Sequence, residues 1–222
     1  MQVLLFGASG MVGQGVLREC LVDPAVTSIV SIARSPAGQS NPKLREVLHS
    51  DFLDFSTIED RIAGFDACFF CLGVSSTGMS EEEYRRITYG FTLAAARVLA
   101  PLNPNMTFIY VSGAGTDSSE HGRSMWARVK GKTENDLLGL PFHAFLFRPG
   151  LIVPLHGIRS KTKLYRAFYA VLGPLLPLLR ALFPNSLLTT EQLGRAMINV
   201  ARAGWPKPVL EAADIRAAAR PN

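Results

Sequence analysis

Apolar and polar positions along the chain follow two alternating periods. Val3 to Phe6 is a compact apolar run that gives way to glycines. Beyond it Val12, Val16 and Cys20, with Leu17 and Leu21, recur at helical spacing and predict a helix with one buried face, stopped at Asp23-Pro24. Ser28 to Ala33, Glu46 to His49 and Ala67 to Cys71 read as the next strands, the last apolar throughout, as a strand covered on both faces should be. Ser80 followed by Glu83 is a capping box for a helix to about Ala100, ended by Pro101. Met106 to Ser112 is a fifth strand, Ser124 to Leu138 a helix closed by Gly139 and Pro141, and Phe142 to Phe147 a sixth strand. Strands alternating with helices in this way predict an α/β fold: a doubly wound parallel sheet with helices on both faces, a Rossmann fold.

The last third reads differently. Leu164 to Phe183 is mostly apolar, but Arg166, Arg180, Pro174 and Pro177 lie inside it, so a membrane span is not expected there. A small helical C-terminal cap over the substrate side is the expectation for this part of residues 151–222, with peripheral membrane contact a minor option. The apolar run also suits a homodimer contact. Thr189 to Ala203 reads as a capped amphipathic helix and Val209-Leu210 as a late edge strand. No linker or repeat divides the chain, so its 222 residues are expected to form one domain.

Composition narrows the classes. Hydrophobic residues at 48% and charged residues at 18% supply a full core and exclude a disordered chain. The net charge of +5 favours anionic ligands such as phosphates but is too small and scattered to mark a nucleic-acid groove. Three cysteines without a visible secretory signal point to a reduced, cytoplasmic location. Cys68-x-x-Cys71 lies inside an apolar run, where two buried thiols are expected rather than a redox pair. The four histidines show no metal-ligand spacing, and no metal is expected.

The main chemical signal is Gly7-Ala8-Ser9-Gly10-Met11-Val12-Gly13, directly after the first strand and opening the first helix. Gly7 permits the tight turn, Gly10 lets a pyrophosphate approach bare backbone, and Gly13 allows the helix to close on the strand. The free amides and positive end of the helix favour the anion. A site for NAD usually ends its second strand with an acid on the ribose diol, whereas this strand ends at Arg34 and Ser35. A guanidinium pairs with a 2′-phosphate in a fork, so NADP is favoured over NAD, with Arg34, Ser35 and Ser9 forming the pocket.

The glycine spacing resembles that of the atypical branch of the short-chain dehydrogenase/reductase family, close to the Tat-interacting-protein-like oxidoreductases. The resemblance runs over residues 1 to 203 and includes Asp51-Phe52, Leu72-Gly73, Ser112, Lys130 and Arg148-Pro149-Gly150. It implies that Asp51 meets the adenine amino group with Phe52 beside the ring. It places Leu72-Gly73 at the cofactor-facing turn and Pro149 in a loop against the nicotinamide. It also implies that Ser112 bonds a substrate carbonyl and that Lys130 holds the nicotinamide ribose.

The family's Tyr-x-x-x-Lys reads here Trp126-Ala127-Arg128-Val129-Lys130. An indole N–H donates a hydrogen bond but has no accessible pKa, so it cannot replace the phenol as general acid. Three readings follow: an NADP-dependent oxidoreductase of a carbonyl or alcohol with another proton donor, a non-catalytic NADP(H)-binding regulator or redox sensor, and a nucleotide-sugar epimerase. Whether the chain turns over a small-molecule substrate, and which one, the sequence leaves open.

Overall fold

The computed structural model describes residues 1–36, 38–158 and 187–220. The strands are β1 (Gln2–Phe6), β2 (Ser28–Ala33), β3 (Leu44–Leu48), β4 (Ala67–Phe70), β5 (Thr107–Val111), β6 (His143–Arg148), β7 (Leu151–Val153), β8 (Leu187–Thr189) and β9 (Val209–Glu211). The helices are α1 (Met11–Val22), α2 (Glu59–Ile62), α3 (Glu81–Arg85), α4 (Phe91–Leu102), α5 (Met125–Leu138), α6 (Thr190–Ala203) and α7 (Ala212–Ala218). Seven strands form one parallel sheet in the order β3-β2-β1-β4-β5-β6-β9, and β7 pairs with β8 beside it. The α/β Rossmann expectation is therefore met. The order reverses direction between β1 and β4, and in sheets of this kind ligands bind beyond the strand ends at that crevice.

Each face of the sheet is sealed by its own apolar cluster. On one, Val3, Leu5 and Phe69 meet Val16, Leu17 and Cys20 of α1, Leu193 and Met197 of α6 and Ile215 of α7. On the other, Leu4, Phe6, Cys68 and Phe70 meet Phe52, Phe55, Ile62, Leu93, Leu99 and Leu137. The strands are buried on both sides because both faces carry helices, which is why β4 is apolar throughout. Two glycines let α1 and α6 cross closely. A Cβ at Gly15 would stand 2.5 Å from the Thr190 side chain, and one at Gly194 would stand 2.7 Å from that of Glu19.

Several boundaries differ from the sequence reading. The segment opened by the Ser80 capping box is two α-helices joined by a π-turn at Arg86–Gly90. Pro101 lies inside the last turn, and the helix closes where the Asn103 amide donates to the Leu99 carbonyl at 2.9 Å. Beyond residue 186, α6 covers α1, and β9 pairs with β6 at the edge. The apolar run Leu164 to Phe183, with the cap, dimer and membrane-surface readings placed on it, lies outside the described residues. Among the described residues no helix is long and apolar enough to cross a membrane.

Candidate functional site: the C-terminal edge of the sheet

The glycine turn stands at the end of β1, beside the reversal of strand order. Gly7 has φ +81°, and a Cβ there would lie 2.7 Å from the backbone of Cys71 and Leu72, so the turns after β1 and β4 touch through bare main chain. A Cβ at Gly13 would fall 2.0 Å from the Gly7 carbonyl oxygen, which fixes the approach of α1 to the turn. Gly10 differs: its Cβ would meet only the Gly7 carbonyl, at 3.4 Å, with no other contact within 4 Å. Gly10 is the N-cap of α1, no side chain caps that end, and its first turn carries no acid. The amides of Met11, Val12 and Gly13 therefore have no intrahelical acceptor at a positive helix end, with Met11 and Val12 half-buried and Gly13 buried. Ser9 is half-buried, and its carbonyl accepts from Gln14 Nε2 at 3.1 Å.

The register of β2 on β1 pairs Ile32 with Phe6, which sets Arg34 and Ser35, both exposed, next to the glycine turn. Asp51 is exposed beyond β3, where its Oδ1 accepts from the Leu53 amide at 2.9 Å. Phe52 corrects the sequence reading. Phe52 is 3% exposed and its ring packs edge-on against Phe6 and Phe55, so the ring belongs to the core. Leu72 is half-buried, and Gly73 is exposed with nothing within 4 Å of a Cβ position.

At the other end of the same edge the polar groups are bonded to one another. Ser112 is 6% exposed, and its hydroxyl lies 2.5 Å from Glu134 Oε1 and 3.1 Å from the Phe147 carbonyl. Both of these acceptors lie inward, so the hydroxyl is engaged by the chain's own groups. Glu134, 1% exposed, also pairs with the Arg148 guanidinium. Lys130, one turn before Glu134, donates to the Ser112 carbonyl. Burial lowers its ammonium to about 8, against a smaller opposing pull from Glu134. No side chain stands between Lys130 and the turn after β5: a Cβ at Gly113 would be 3.9 Å from Nζ. Trp126 is half-buried, and its indole edge lies 3.5 Å from the Cβ position of Gly115. Pro149 is buried, and its carbonyl accepts from the Ala114 amide at 2.8 Å, joining the two turns.

Sequence reasoning missed Glu134. Its signal was an acid at i+4 from Lys130 on the face that carries Ala127 and Leu137 inward. Two surface concavities lie apart from this edge, one between α3 and α5 around Tyr89 and one beside the start of α6, and neither includes the glycine turn. Glu19, His156 and Glu191 bring ligand atoms within 4.8 Å of one another, but Arg18 and Arg195 already neutralise the two carboxylates. Cys20, Cys68 and Cys71 are free, and burial pushes all three thiols up, away from the thiolate that redox chemistry needs.

Solved structures share this architecture at low identity. A short chain dehydrogenase family protein from Francisella tularensis subsp. tularensis SCHU S4 superposes with a TM-score of 0.66 over 98% of both chains at 14% identity. The fold is that of the short-chain dehydrogenases/reductases. Two further solved structures match as well. The dTDP-glucose 4,6-dehydratase DesIV from Streptomyces venezuelae, solved with NAD bound, matches at TM-score 0.70 and 16% identity over 96% of this chain and 75% of its own. An ADP-L-glycero-D-manno-heptose-6-epimerase from Helicobacter pylori matches at 0.66 and 17% over 95% and 76%. Among curated sequences, Protein FMP52, mitochondrial, of Candida albicans is 27% identical over 158 residues, 69% of this chain and 68% of that one. Its counterpart in Aspergillus clavatus is 28% identical over 158 residues, 68% and 66%. No protein-family model matches the chain. Both curated relatives are named as mitochondrial, which overturns the cytoplasmic expectation. That expectation leaned on unpaired cysteines, and free buried thiols suit any reducing compartment equally.

Proposed function

We propose that the chain binds NADP(H) along the C-terminal edge of its sheet, in a mitochondrial setting like that of its curated relatives, and acts as an oxidoreductase of a carbonyl or alcohol. The observation that carries this reading is the uncapped start of α1, held against β1 by Gly7 and Gly13 and left open at Gly10. The pyrophosphate would rest on the amides of Met11 to Gly13, with the 2′-phosphate on Arg34 and Ser35. Asp51 and the Phe52 main chain would border the adenine, and Leu72-Gly73 the adenosine ribose. Lys130 would hold the nicotinamide ribose, with Pro149 in the turn beside the ring. The bound dinucleotide would supply or accept hydride, and the chain's own residues bind and orient it. The test is fluorescence titration of the purified chain with NADPH and NADH. Arg34→Asp should weaken NADPH at least tenfold while leaving NADH nearly unchanged. Equal loss of both removes Arg34 from the pocket, and no binding of either at millimolar concentration defeats the reading.

A second reading, an NADP(H)-binding regulator or redox sensor without turnover, draws on two observations. Trp126 stands where the family carries its phenol, and the Ser112 proton is turned toward Glu134. Trp126→Tyr separates the two. Under the enzyme reading it raises NADPH-dependent reduction of generic aldehydes, and under the regulator reading binding persists with no gain. The epimerase reading meets the same missing phenol and has no separate observation in its favour.

A further inference from the structure

Six residues from five parts of the chain converge behind the β5 and β6 ends, and Glu134 is at their centre. Its Oε1 faces the Ser112 hydroxyl, and both its oxygens face Arg148 Nε at 3.1 Å. Arg148 reaches on to Ser118 Oγ at 2.6 Å and to Glu211 Oε1 at 3.3 Å. Lys130 sits one turn earlier on α5, bonded to the carbonyl of the same Ser112 whose hydroxyl Glu134 engages. We propose that Glu134 is the positioning residue of this site: its buried carboxylate ties the turns after β5 and β6 together and supplies the counter-charge to Lys130. The inference rests on the reading that Lys130 faces the dinucleotide.

The physical argument starts from desolvation. An ammonium drawn into the protein tends to lose its proton, and Lys130 is drawn in where it meets the Ser112 carbonyl. The charged groups gathered there are Glu134 on its own helix, Arg148 at the end of β6 and Glu211 on β9, while Tyr110 on β5 is buried and stays neutral. Glu134 is the carboxylate one helical turn from Lys130 and bonded to the same Ser112, and its pull opposes the loss of the Lys130 proton. With it, Lys130 carries its charge at neutral pH and can hold ribose hydroxyls and nearby phosphate. Without it, the same lysine spends a larger share of its time neutral against a peptide carbonyl at neutral pH.

The experiment follows the Lys130 side chain by NMR in full-length protein with carbon-13-labelled lysine, its signal assigned by loss in Lys130→Arg. The wild-type midpoint is expected at about 8. In Glu134→Gln it should fall by about one pH unit. NADPH affinity at pH 7.5 should then drop roughly threefold, the change in ammonium fraction that such a shift produces. Arg148→Gln should move the midpoint the other way, because Lys130 becomes the nearest cation to Glu134, and this variant decides the matter if Glu134→Gln does not fold. A midpoint unchanged in the variants that fold overturns the inference, as does one that moves in the same direction in both. A wild-type chain that binds no dinucleotide defeats the parent reading, yet the lysine titration still decides this one.

Discussion

The two ends of the sheet edge are built on opposite principles. Around α1 the groups aimed into open space are main-chain amides with no side-chain cap, and the glycines keep that space clear. Around α5 the polar side chains are already engaged: Ser112, Glu134, Arg148 and Ser118 bond to one another. A site that only holds an anion needs unspent backbone. A site that transfers a proton needs a side chain with a proton to give, and here Ser112 directs its proton inward. Holding an anion and moving a proton therefore draw on different groups of one sheet, main-chain amides at one end and side chains at the other.

The largest effect is expected at the glycine end. Gly13→Val drives a branched side chain into the Gly7 carbonyl, 2.0 Å from the Cβ position, and both neighbours are backbone that cannot swing aside. We expect a loss of about 4 kcal/mol or more of stability by urea unfolding. A loss below about 1 kcal/mol would mean that α1 slides away from β1 cheaply and that the turn is not held by this contact.

At the other end Glu134→Ala strips Arg148 of its main partner while Glu211, more exposed, stays in place. A buried charge left without its mate costs about 3 kcal/mol here, toward the lower end of the range because Arg148 keeps one partner. Urea midpoints compared with those of the glycine variant show which end of the edge the fold depends on more.

Lys130 gives a pH-dependent contrast. Its ammonium is held at about 8 when folded, below the ordinary value of 10.5. The unfolded chain therefore binds more protons between these values, and stability rises with pH across that window. Below about 8 the full cost of the buried ammonium is present. Lys130→Met should remove this rise, so the wild type gains on the variant as pH climbs from 8 to 10. Parallel stability curves for the two proteins would place Lys130 in water.

The glycine end was legible in sequence because its geometry is written in adjacent residues. A strand, three glycines three apart and a helical period lie within 22 positions. The α5 end was not, because its network joins residues 14 to 63 positions apart, and no local pattern tells a solvated glutamate from one shared by Ser112 and Arg148. Phe52 failed for a related reason. Its place after Asp51 suggested a ring beside a base, but which way a side chain turns after a strand depends on tertiary neighbours, here Phe6, Phe55 and Phe91. The π-turn at Arg86–Gly90 and the three-residue strands β7 and β8 are too short to impose a period of their own.

The smallest structural effect is the sharpest test of the glycine end. Gly10 has φ −80°, a value open to any residue, and an added methyl would meet only the Gly7 carbonyl at 3.4 Å. Gly10→Ala should cost less than about 1 kcal/mol, the usual scale for a weakened N-cap. The same methyl projects from the cap of a helix whose first amides await an anion. We therefore expect NADPH affinity to fall at least tenfold by fluorescence titration while the urea midpoint barely moves. A variant that kept both would reduce the open cap to an ordinary turn. One that lost both equally would show that Gly10, like Gly13, serves the fold, and the contrast between the two glycines would vanish.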